Sequence, residues 1–476
     1  MRVLLPTFLR KKSRGENLMH TIAALATAGG KGGIAVIRLS GDDCIEIASK
    51  VFKPFRTQLC DAQSNMQIYG EIVGSNGQRI DTGLATVFRA PHSYTGENTV
   101  EISCHGSPVG VSLILTALFE SGAEHALPGE YTKRAFVNGK LDLTQAEAVG
   151  ELIDAESTAA HKLFSAQLSG SVGRLVREQA DEITLLLASL YAYIDYPDED
   201  MTDIPVPELR ERLVKMKNRL QRLTGSYSTG LAITEGVKSA IVGLPNTGKS
   251  SFLNSLIGFD RAIVTDIAGT TRDVVTESVI VGDIKLCLSD TAGLHETNDT
   301  VEKIGVERSR TALENSSLVF GMFDVSQDIG QQEEQVAQLL EDNKNDKNII
   351  IVLNKCDKNS PERHEEYFKK LGFERIVTVS AKNGEGLEKV ADAVKSFYPD
   401  ADKALEGEIL ANARQHSALT KAVNNIEKAL SALDSLTPDT ACLDMEAALG
   451  ELLEADGRGV SEEIVNSIFS HFCVGK

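Results

Sequence analysis

The sequence lacks several features that would place a chain of this length in a specialised class. It has no run of about 18 apolar residues, so no membrane-spanning helix is expected. Acidic residues outnumber basic ones by 68 to 49, and the formal net charge is −19. This balance argues against a broad basic surface that holds nucleic acid. Any role with nucleic acid would need a local basic patch or a basic partner.

Cysteine pairs at metal-binding or redox spacing are also absent. The seven cysteines include no C-x-x-C pair, and their number is odd. This pattern fits reduced thiols in a cytoplasmic protein. Residues 1–18 are rich in Lys and Arg, and a transit peptide is one interpretation. The stretch is short and poor in Ser, so we expect instead an N-terminal extension, disordered or ordered, before the folded part.

The length of 476 residues indicates about three domains. Short apolar runs between Gly-rich turns predict an α+β domain over residues 19–140. Within it we expect strands at 34–39, 85–88 and 99–103 and helices at 42–52 and 109–122. Strands that alternate with helices predict a doubly wound α/β domain over residues 233–401, and the motifs described below make its expected type Ras-like. Its strands are expected at 240–242, 278–281, 285–289, 318–323, 349–353 and 376–379.

Helical patterns lie on both sides of the α/β domain, at residues 141–232 and 402–476. We expect helices at 145–168, 171–194, 207–223, 406–433, 445–454 and 462–471, and a linker at 225–230. The two segments can form one discontinuous bundle or two independent domains. We favour one bundle, because each half alone would leave an apolar face uncovered. The α/β domain is then an insert whose two ends lie close together.

The stretch Gly243–Ser250 fits the phosphate-loop pattern G-x-x-x-x-G-K-[ST], between an expected strand and an expected helix. Its glycines let backbone N–H groups turn toward phosphates, and the following helix N-terminus adds a favourable dipole. Lys249 would reach the β- and γ-phosphates, and the Ser250 hydroxyl would ligate Mg²⁺. A glycine turn without function is the alternative, and the agreement of strand, loop and helix makes it the weaker one.

Two later segments are expected to sense the γ-phosphate. Thr270 and Thr271 lie in a plausible first switch, where a hydroxyl completes the Mg²⁺ shell. Asp290-Thr-Ala-Gly293 follows a strand, and Asp290 would hold Mg²⁺ directly or through water. Leu294 comes next, where Ras-like enzymes usually place the Gln that orients water. Hydrolysis therefore needs another group to hold water and another positive charge.

Two more segments are expected to bind the base. The carboxylate of Asp357, in Asn354-Lys-Cys-Asp357, can accept from two guanine donors that adenine lacks, which favours GTP over ATP. Ser380-Ala-Lys382 would contact the base through its backbone. The expected GTP-binding residues are Asn246, Thr247, Gly248, Lys249, Ser250, Ser251, Thr265, Asp266, Ile267, Ala268, Gly269, Thr270, Thr271, Asp290, Thr291, Ala292, Gly293, Asn354, Lys355, Asp357, Ser380, Ala381 and Lys382.

The chain from residue 20 to residue 476 resembles the MnmE (TrmE) family of tRNA-modification GTPases. The resemblance rests on the phosphate loop, on residues 263–273, on Asn138–Ala148 and on the ending Cys473-Val-Gly-Lys476. It implies a potassium-activated GTPase whose G domains pair in the GTP state. By motif position the potassium ligands are Asn246, Thr265, Ile267 and Thr270, the magnesium ligands are Ser250 and Thr271, and the catalytic residues are Glu302 and Lys249. Spacing alone favours a plain loop role for Asn246.

The resemblance also implies that the N-terminal domain binds formyl-tetrahydrofolate and forms a homodimer. The matching positions are Arg38, Glu101, Lys140 and Lys476. A carboxylate such as Glu101 can pair with a pterin edge, and cations can hold the glutamate tail. Without the resemblance, Glu101 and Lys140 would be taken as surface charges. Cys473 is a candidate nucleophile, with a structural role as the alternative.

The implied partner is an FAD-containing protein, MnmG (GidA), in a heterotetramer. Together the two proteins would modify C5 of the wobble uridine, position 34, of certain tRNAs. The net charge of −19 fits a division of labour in which the partner supplies much of the tRNA surface. The alternative function is a GTP-dependent switch in ribosome assembly, similar to Era-like GTPases and without folate chemistry. That alternative explains the α/β domain and leaves the candidate folate residues unused.

Overall fold

The computed structural model describes residues 20–195, 205–259, 277–288, 310, 312–399, 407–435 and 438–475. Two compact units divide the chain. One contains residues up to 153, residues 167–220 and the chain from 417 onward, and the other contains residues 154–166 and 221–416. Within the described ranges, no helix combines the length and apolar character that a membrane crossing requires.

A mixed sheet organises the N-terminal part of the first unit. Its described strands are β1 (Ile22–Leu25), β2 (Ala35–Ser40), β3 (Phe52–Pro54), β4 (Gln67–Val73), β5 (Arg79–Phe88), β6 (Thr99–Cys104) and β7 (Glu124–His125), in the order β3-β4-β5-β6-β2-β1-β7. The pairs are antiparallel except β1 with β7. Helices α1 (Cys44–Val51) and α2 (Pro108–Glu120) contribute to the core. Ile37 and Leu39 alternate with Arg38, so buried side chains and Arg38 lie on opposite faces.

The predicted α+β class of this part is confirmed. Strands β2 and β6 and helices α1 and α2 lie within two residues of their predicted positions. The prediction at 85–88 was too short, because β5 begins at Arg79. Strand β4 was missed because Gly70 interrupts its apolar pattern. A Cβ at Gly70 would lie 2.5 Å from the Lys53 carbonyl oxygen.

Helices make up most of the remaining chain outside the second sheet. They are α3 (Glu130–Val137), α4 (Leu143–Ile153), α5 (Thr158–Leu168), α6 (Ser171–Asp195), α7 (Val206–Gly225), α8 (Tyr227–Thr234), and, after that sheet, α13 (Ala413–Ser435), α14 (Pro438–Asp456) and α15 (Glu462–Ser470). In the first unit, α6 packs along α14.

Two helix predictions and one linker prediction were wrong in detail. The single helix expected at 145–168 is two helices, because Ser157 caps a new start by accepting from the Ala160 amide at 2.9 Å. The helix expected from 406 begins at Ala413, after Asn412 accepts from the Gln415 amide. The linker expected at 225–230 is largely helix α8.

The C-terminal end of the chain packs on the N-terminal part of the first unit. Phe136 of α3 and Phe469 of α15 belong to one buried cluster, with ring centroids 6.5 Å apart. The Gly129 amide donates to the Cys473 carbonyl at 3.4 Å. Gly475 has a φ of 97° and lies against the backbone of Leu25, so a side chain there would collide with β1. The last described residues therefore end beside the N-terminal sheet.

The second unit contains a mostly parallel sheet. Its described strands are β8 (Val237–Val242), β9 (Glu277–Val281), β10 (Ile284–Leu288), β11 (Leu318–Asp324), β12 (Asn348–Asn354) and β13 (Ile376–Val379), in the order β13-β12-β11-β8-β10-β9, with β9 antiparallel. The helices are α9 (Lys249–Phe259), α10 (Gln331–Asn343), α11 (Glu362–Lys370) and α12 (Leu387–Lys395). Strands β11 and β12 are almost continuously buried, as central parallel strands are.

The chain segments before and after this sheet lie together. The Leu410 amide donates to the Ser226 hydroxyl at 3.1 Å. Gly230 of α8 lies so close to the Leu410 carbonyl that a Cβ would collide with it. Tyr227 and His416 stack with centroids 4.0 Å apart. The close ends are those expected of an inserted domain, and the domain boundaries themselves remain a prediction.

Candidate nucleotide-binding site

The phosphate loop connects β8 to α9 at the carboxyl edge of the parallel sheet, where open α/β sheets bind ligands. Two of its positions require glycine. A Cβ on Gly243 would lie 2.5 Å from the Met322 carbonyl oxygen, and one on Gly248, whose φ is 98°, would collide with the Asn354 side chain. The loop therefore packs directly against the ends of β11 and β12.

Lys249 lies at the N-terminus of α9 and folds back over this loop. Its Nζ donates to the carbonyl oxygens of Gly243 at 2.9 Å and Leu244 at 2.8 Å. Burial lowers the pKa of this ammonium group. An ammonium group, together with the backbone amides at the start of a helix, forms a donor set suited to phosphate oxygens. The described loop thus fits a nucleotide phosphate.

The two expected base-binding segments are joined to the phosphate loop by Asn354. Its buried side chain donates to the Thr247 carbonyl at 2.8 Å and accepts from the Ala381 amide at 3.0 Å. Ser380 donates to Asp357 Oδ1 at 2.8 Å, which orients a carboxylate that is otherwise exposed. The two expected base-binding segments thus meet at one point beside the phosphate loop.

Asp324, at the carboxyl end of β11, is part of this site and was not predicted. It accepts from Lys355 Nζ at 2.5 Å, and the same ammonium donates to the Asn246 carbonyl at 2.8 Å. Burial alone would raise the pKa of Asp324, but the hydrogen bonds from Lys355 and Ser326 hold that pKa below its usual value. The available signal was an Asp at the end of a long apolar strand, on the edge where ligands bind.

Two of the four described non-glycine residues with positive φ lie where these segments meet. Asn246 and Lys355 have φ values of 63° and 66°, in the left-handed region. That conformation costs a non-glycine residue about 1–2 kcal/mol and persists only where neighbouring contacts hold it. The Lys355–Asn246 hydrogen bond is one such contact. The Asn246 side chain is exposed, so its oxygen is accessible to a cation.

Several predicted site residues lie outside the described part of the chain. They are Thr265, Asp266, Ile267, Ala268, Gly269, Thr270, Thr271, Asp290, Thr291, Ala292, Gly293, Glu302 and Lys476. Of the predicted magnesium and potassium ligands, only Ser250 and Asn246 are described. Their assignments, like those of the described GTP residues, remain predictions.

Two of the predicted folate residues meet on the sheet of the first unit. Arg38 and Glu101 are directly opposite in the β2–β6 register. Arg38 Nε and Nη2 lie 2.9 and 2.8 Å from Glu101 Oε1, so the ion pair uses one carboxylate oxygen. The guanidinium carbon lies 5.4 Å from the centre of the Tyr94 ring and 5.7 Å from that of Tyr131. The pair is partly exposed and can accept a polar ligand.

The other predicted residues of that cluster surround it less directly. Lys140 Nζ donates to the Pro91 carbonyl at 3.1 Å, on the loop that also carries Tyr94. Cys473 is exposed, and its carbonyl accepts from the Gly129 amide.

Tyr131 also belongs to this cluster and was not predicted from the sequence. It is fully buried and donates to the Arg38 carbonyl at 2.6 Å, which fixes the strand beneath the ion pair.

Two family models match the chain. The GTP-binding protein TrmE N-terminus matches residues 21–140, and the MnmE helical domain matches residues 143–473. The chain belongs to the MnmE family of tRNA modification GTPases. Relatives named tRNA modification GTPase MnmE include those of Thermoanaerobacter pseudethanolicus (40% identical) and Thermotoga maritima (39%), each covering 96% of this chain and 100% of the relative. That of Clostridioides difficile is 38% identical over 96% of this chain and 99% of its own length.

Membership of the MnmE family agrees with the observed architecture. The α+β N-terminal part, the helices and the α/β sheet with a phosphate loop are the parts that the predicted fold class required. The predicted fold class and the predicted family are both confirmed.

We expect Asp357→Asn to weaken GTP binding by at least about tenfold, because an amide cannot replace a carboxylate that accepts from two guanine donors. Binding of GTP and xanthosine triphosphate would be measured by calorimetry. The variant should shift preference toward xanthosine triphosphate, whose base offers an acceptor in place of the amino group. Asp346→Asn, an exposed position in the same unit, is the control. Equal loss of both nucleotides would contradict the role given to Asp357.

Proposed function

We propose that this chain is a potassium-activated GTPase that works with an FAD-containing partner to modify C5 of the wobble uridine, position 34, of certain tRNAs. A tetrahydrofolate one-carbon unit supplies the added carbon. Membership of the MnmE family already gives the chain GTP hydrolysis and a role in tRNA modification. Asn354 joins the phosphate loop to the expected base-binding segments, and this contact is the observation that supports a GTP-driven cycle.

In the proposed nucleotide site, Lys249 holds the β- and γ-phosphates and Asp357 holds guanine. Ser250 and Thr271 hold Mg²⁺, which neutralises charge on the phosphate oxygens when bound. Because Leu294 cannot orient water, Glu302 takes that role. Asn246, Thr265, the Ile267 carbonyl and Thr270 hold potassium, in place of an arginine finger. The exposed side chain of Asn246 is compatible with this assignment.

In the proposed folate site, Glu101 accepts from the pterin edge while Arg38, Lys140 and Lys476 hold negative charge. The second carboxylate oxygen of Glu101, outside the Arg38 ion pair, suits that role. Cys473 is retained as a candidate nucleophile. Packing of the C-terminal end beside the N-terminal sheet supports a site that draws on both ends of the chain.

The proposed assembly has two kinds of contact between copies of this chain and a third with a flavoprotein partner. N-terminal domains (19–140) form a homodimer, G domains (233–401) pair in the GTP state, and the helical domain (141–232 and 402–476) connects them. The flavoprotein partner MnmG completes a heterotetramer and contributes much of the tRNA-binding surface, since the net charge here is −19. We place the complex in the cytoplasm.

The GTPase rate should be at least about tenfold higher in KCl than in NaCl at equal ionic strength, because the proposed ligand set selects an ion of potassium's size to supply the missing positive charge. Steady-state phosphate release would measure it, with and without the flavoprotein. Asn246→Ala should remove the difference, whereas Asn345→Ala, an exposed residue of the same unit, should preserve it. Equal rates of the unmodified chain in KCl and NaCl would refute the potassium assignment.

Glu302→Ala should lower the GTP turnover rate and leave GDP affinity nearly intact, since Glu302 is assigned to the attacking water and not to the bound product.

Wobble uridine modification should be lost in a strain that lacks this gene and restored by the unmodified chain. Nucleosides from its tRNA would be measured by mass spectrometry. Glu101→Gln should restore at least about tenfold less of the modified nucleoside, because the folate-binding carboxylate is gone. Glu71→Gln, which removes a partly exposed ion-pair carboxylate on strand β4 of the same sheet, should restore it fully. Unchanged wobble uridine in the deletion strain would refute the proposed function.

A further inference from the structure

Asp324 is placed as an anchor between two loops of the nucleotide site. Its side chain is only 8% exposed. Oδ2 accepts from Lys355 Nζ at 2.5 Å, while Oδ1 accepts from the Ser326 hydroxyl at 2.6 Å and the Ser326 amide at 3.0 Å. Both carboxylate oxygens are therefore bonded, and the side chain has little freedom to move.

Lys355 transmits this constraint to the phosphate loop. Its φ of 66° is uncommon for a long side chain, which cannot bond its own backbone as Asn or Asp can. The ammonium donates to the Asn246 carbonyl at 2.8 Å. A salt bridge from a nearly buried carboxylate thus holds a strained residue against a loop more than 100 positions earlier in the chain.

Asn246 is the residue that Lys355 holds in place, and its backbone is also in the left-handed region, with a φ of 63°. Its backbone is held by Lys355, and the next carbonyl, that of Thr247, is held by Asn354. The direction of the exposed Asn246 side chain follows from that backbone conformation.

We infer that Asp324 is a positioning residue of the GTP site, which fixes Asn246 through Lys355 and thereby sets both the hold of the phosphate loop on the nucleotide and the affinity of the cation site. The part that concerns the cation rests on the proposed function. The part that concerns nucleotide does not, because it depends only on the described contacts.

Asp324→Asn tests the inference with little change of shape. Its amide oxygen can still accept from Ser326, but the charge that holds Lys355 is lost. We expect GDP release, followed with a fluorescent GDP analogue, to be about tenfold faster in KCl and in NaCl. Asp328→Asn is the matched control. Asp328 lies on the loop that follows Asp324 and forms an exposed ion pair with Arg363, so this substitution should change GDP release less than twofold.

A double-mutant cycle separates positioning from a general loss of stability. Lys355→Met alone should speed GDP release by at least as much, because it also removes the ammonium that bonds the Asn246 carbonyl. Adding Asp324→Asn to it should have little further effect, because Asp324 acts through Lys355. Thermal melting of every variant checks that it is folded. Additive effects of the two substitutions, or release by Asp324→Asn within twofold of the unmodified chain, would overturn the inference.

The cation part is tested by titrating potassium against GTPase rate. Asp324→Asn should raise the half-activating potassium concentration about tenfold, with a smaller change in the rate at saturation. An unchanged half-activating concentration would overturn this part. If the unmodified chain itself shows no potassium activation, the potassium part of the proposed function is refuted. The double-mutant cycle on GDP release then still decides the role of Asp324.

Discussion

The buried side chain of Asn354 makes the contact on which the nucleotide site depends. It bonds the Thr247 carbonyl on one side and the Ala381 amide on the other. A buried polar group that loses its partner costs about 1–3 kcal/mol, so the segments on either side are held to each other. Gly248 allows the approach, because a side chain there would occupy the place of the Asn354 amide. The phosphate loop and the base segments therefore act as one unit.

A second set of contacts extends that unit toward the proposed cation site. Asp324, Lys355 and Asn246 form a hydrogen-bonded series next to Asn354. The strain at Asn246 and Lys355 is held by these bonds, as strained residues at functional sites usually are. In the other unit, the Arg38–Glu101 pair lies on a sheet that the chain's C-terminal end also contacts. Each unit thus carries one candidate site built from distant parts of the sequence.

Much of this could be predicted from the sequence, and the failures have local causes. The strands that lead into the phosphate loop and into the expected base-binding segments show clear apolar runs, so those strands were placed within a few residues. Ser157 restarts a helix inside an Ala- and Glu-rich stretch, and composition alone could not show that cap. Asp324 and Tyr131 were missed because their roles arise from contacts across the fold, with Lys355 and with the Arg38 carbonyl.

Hydrogen–deuterium exchange of the nucleotide-free chain is the most direct test of the central claim, that Asn354 joins the two loops. Peptides over residues 243–250 and 380–385 would be compared between the unmodified chain and Asn354→Ala. Both should lose protection together in the variant, because each segment loses a bond to the same side chain. Faster exchange in only one segment, or in neither, would show that the loops are held independently and would contradict the account.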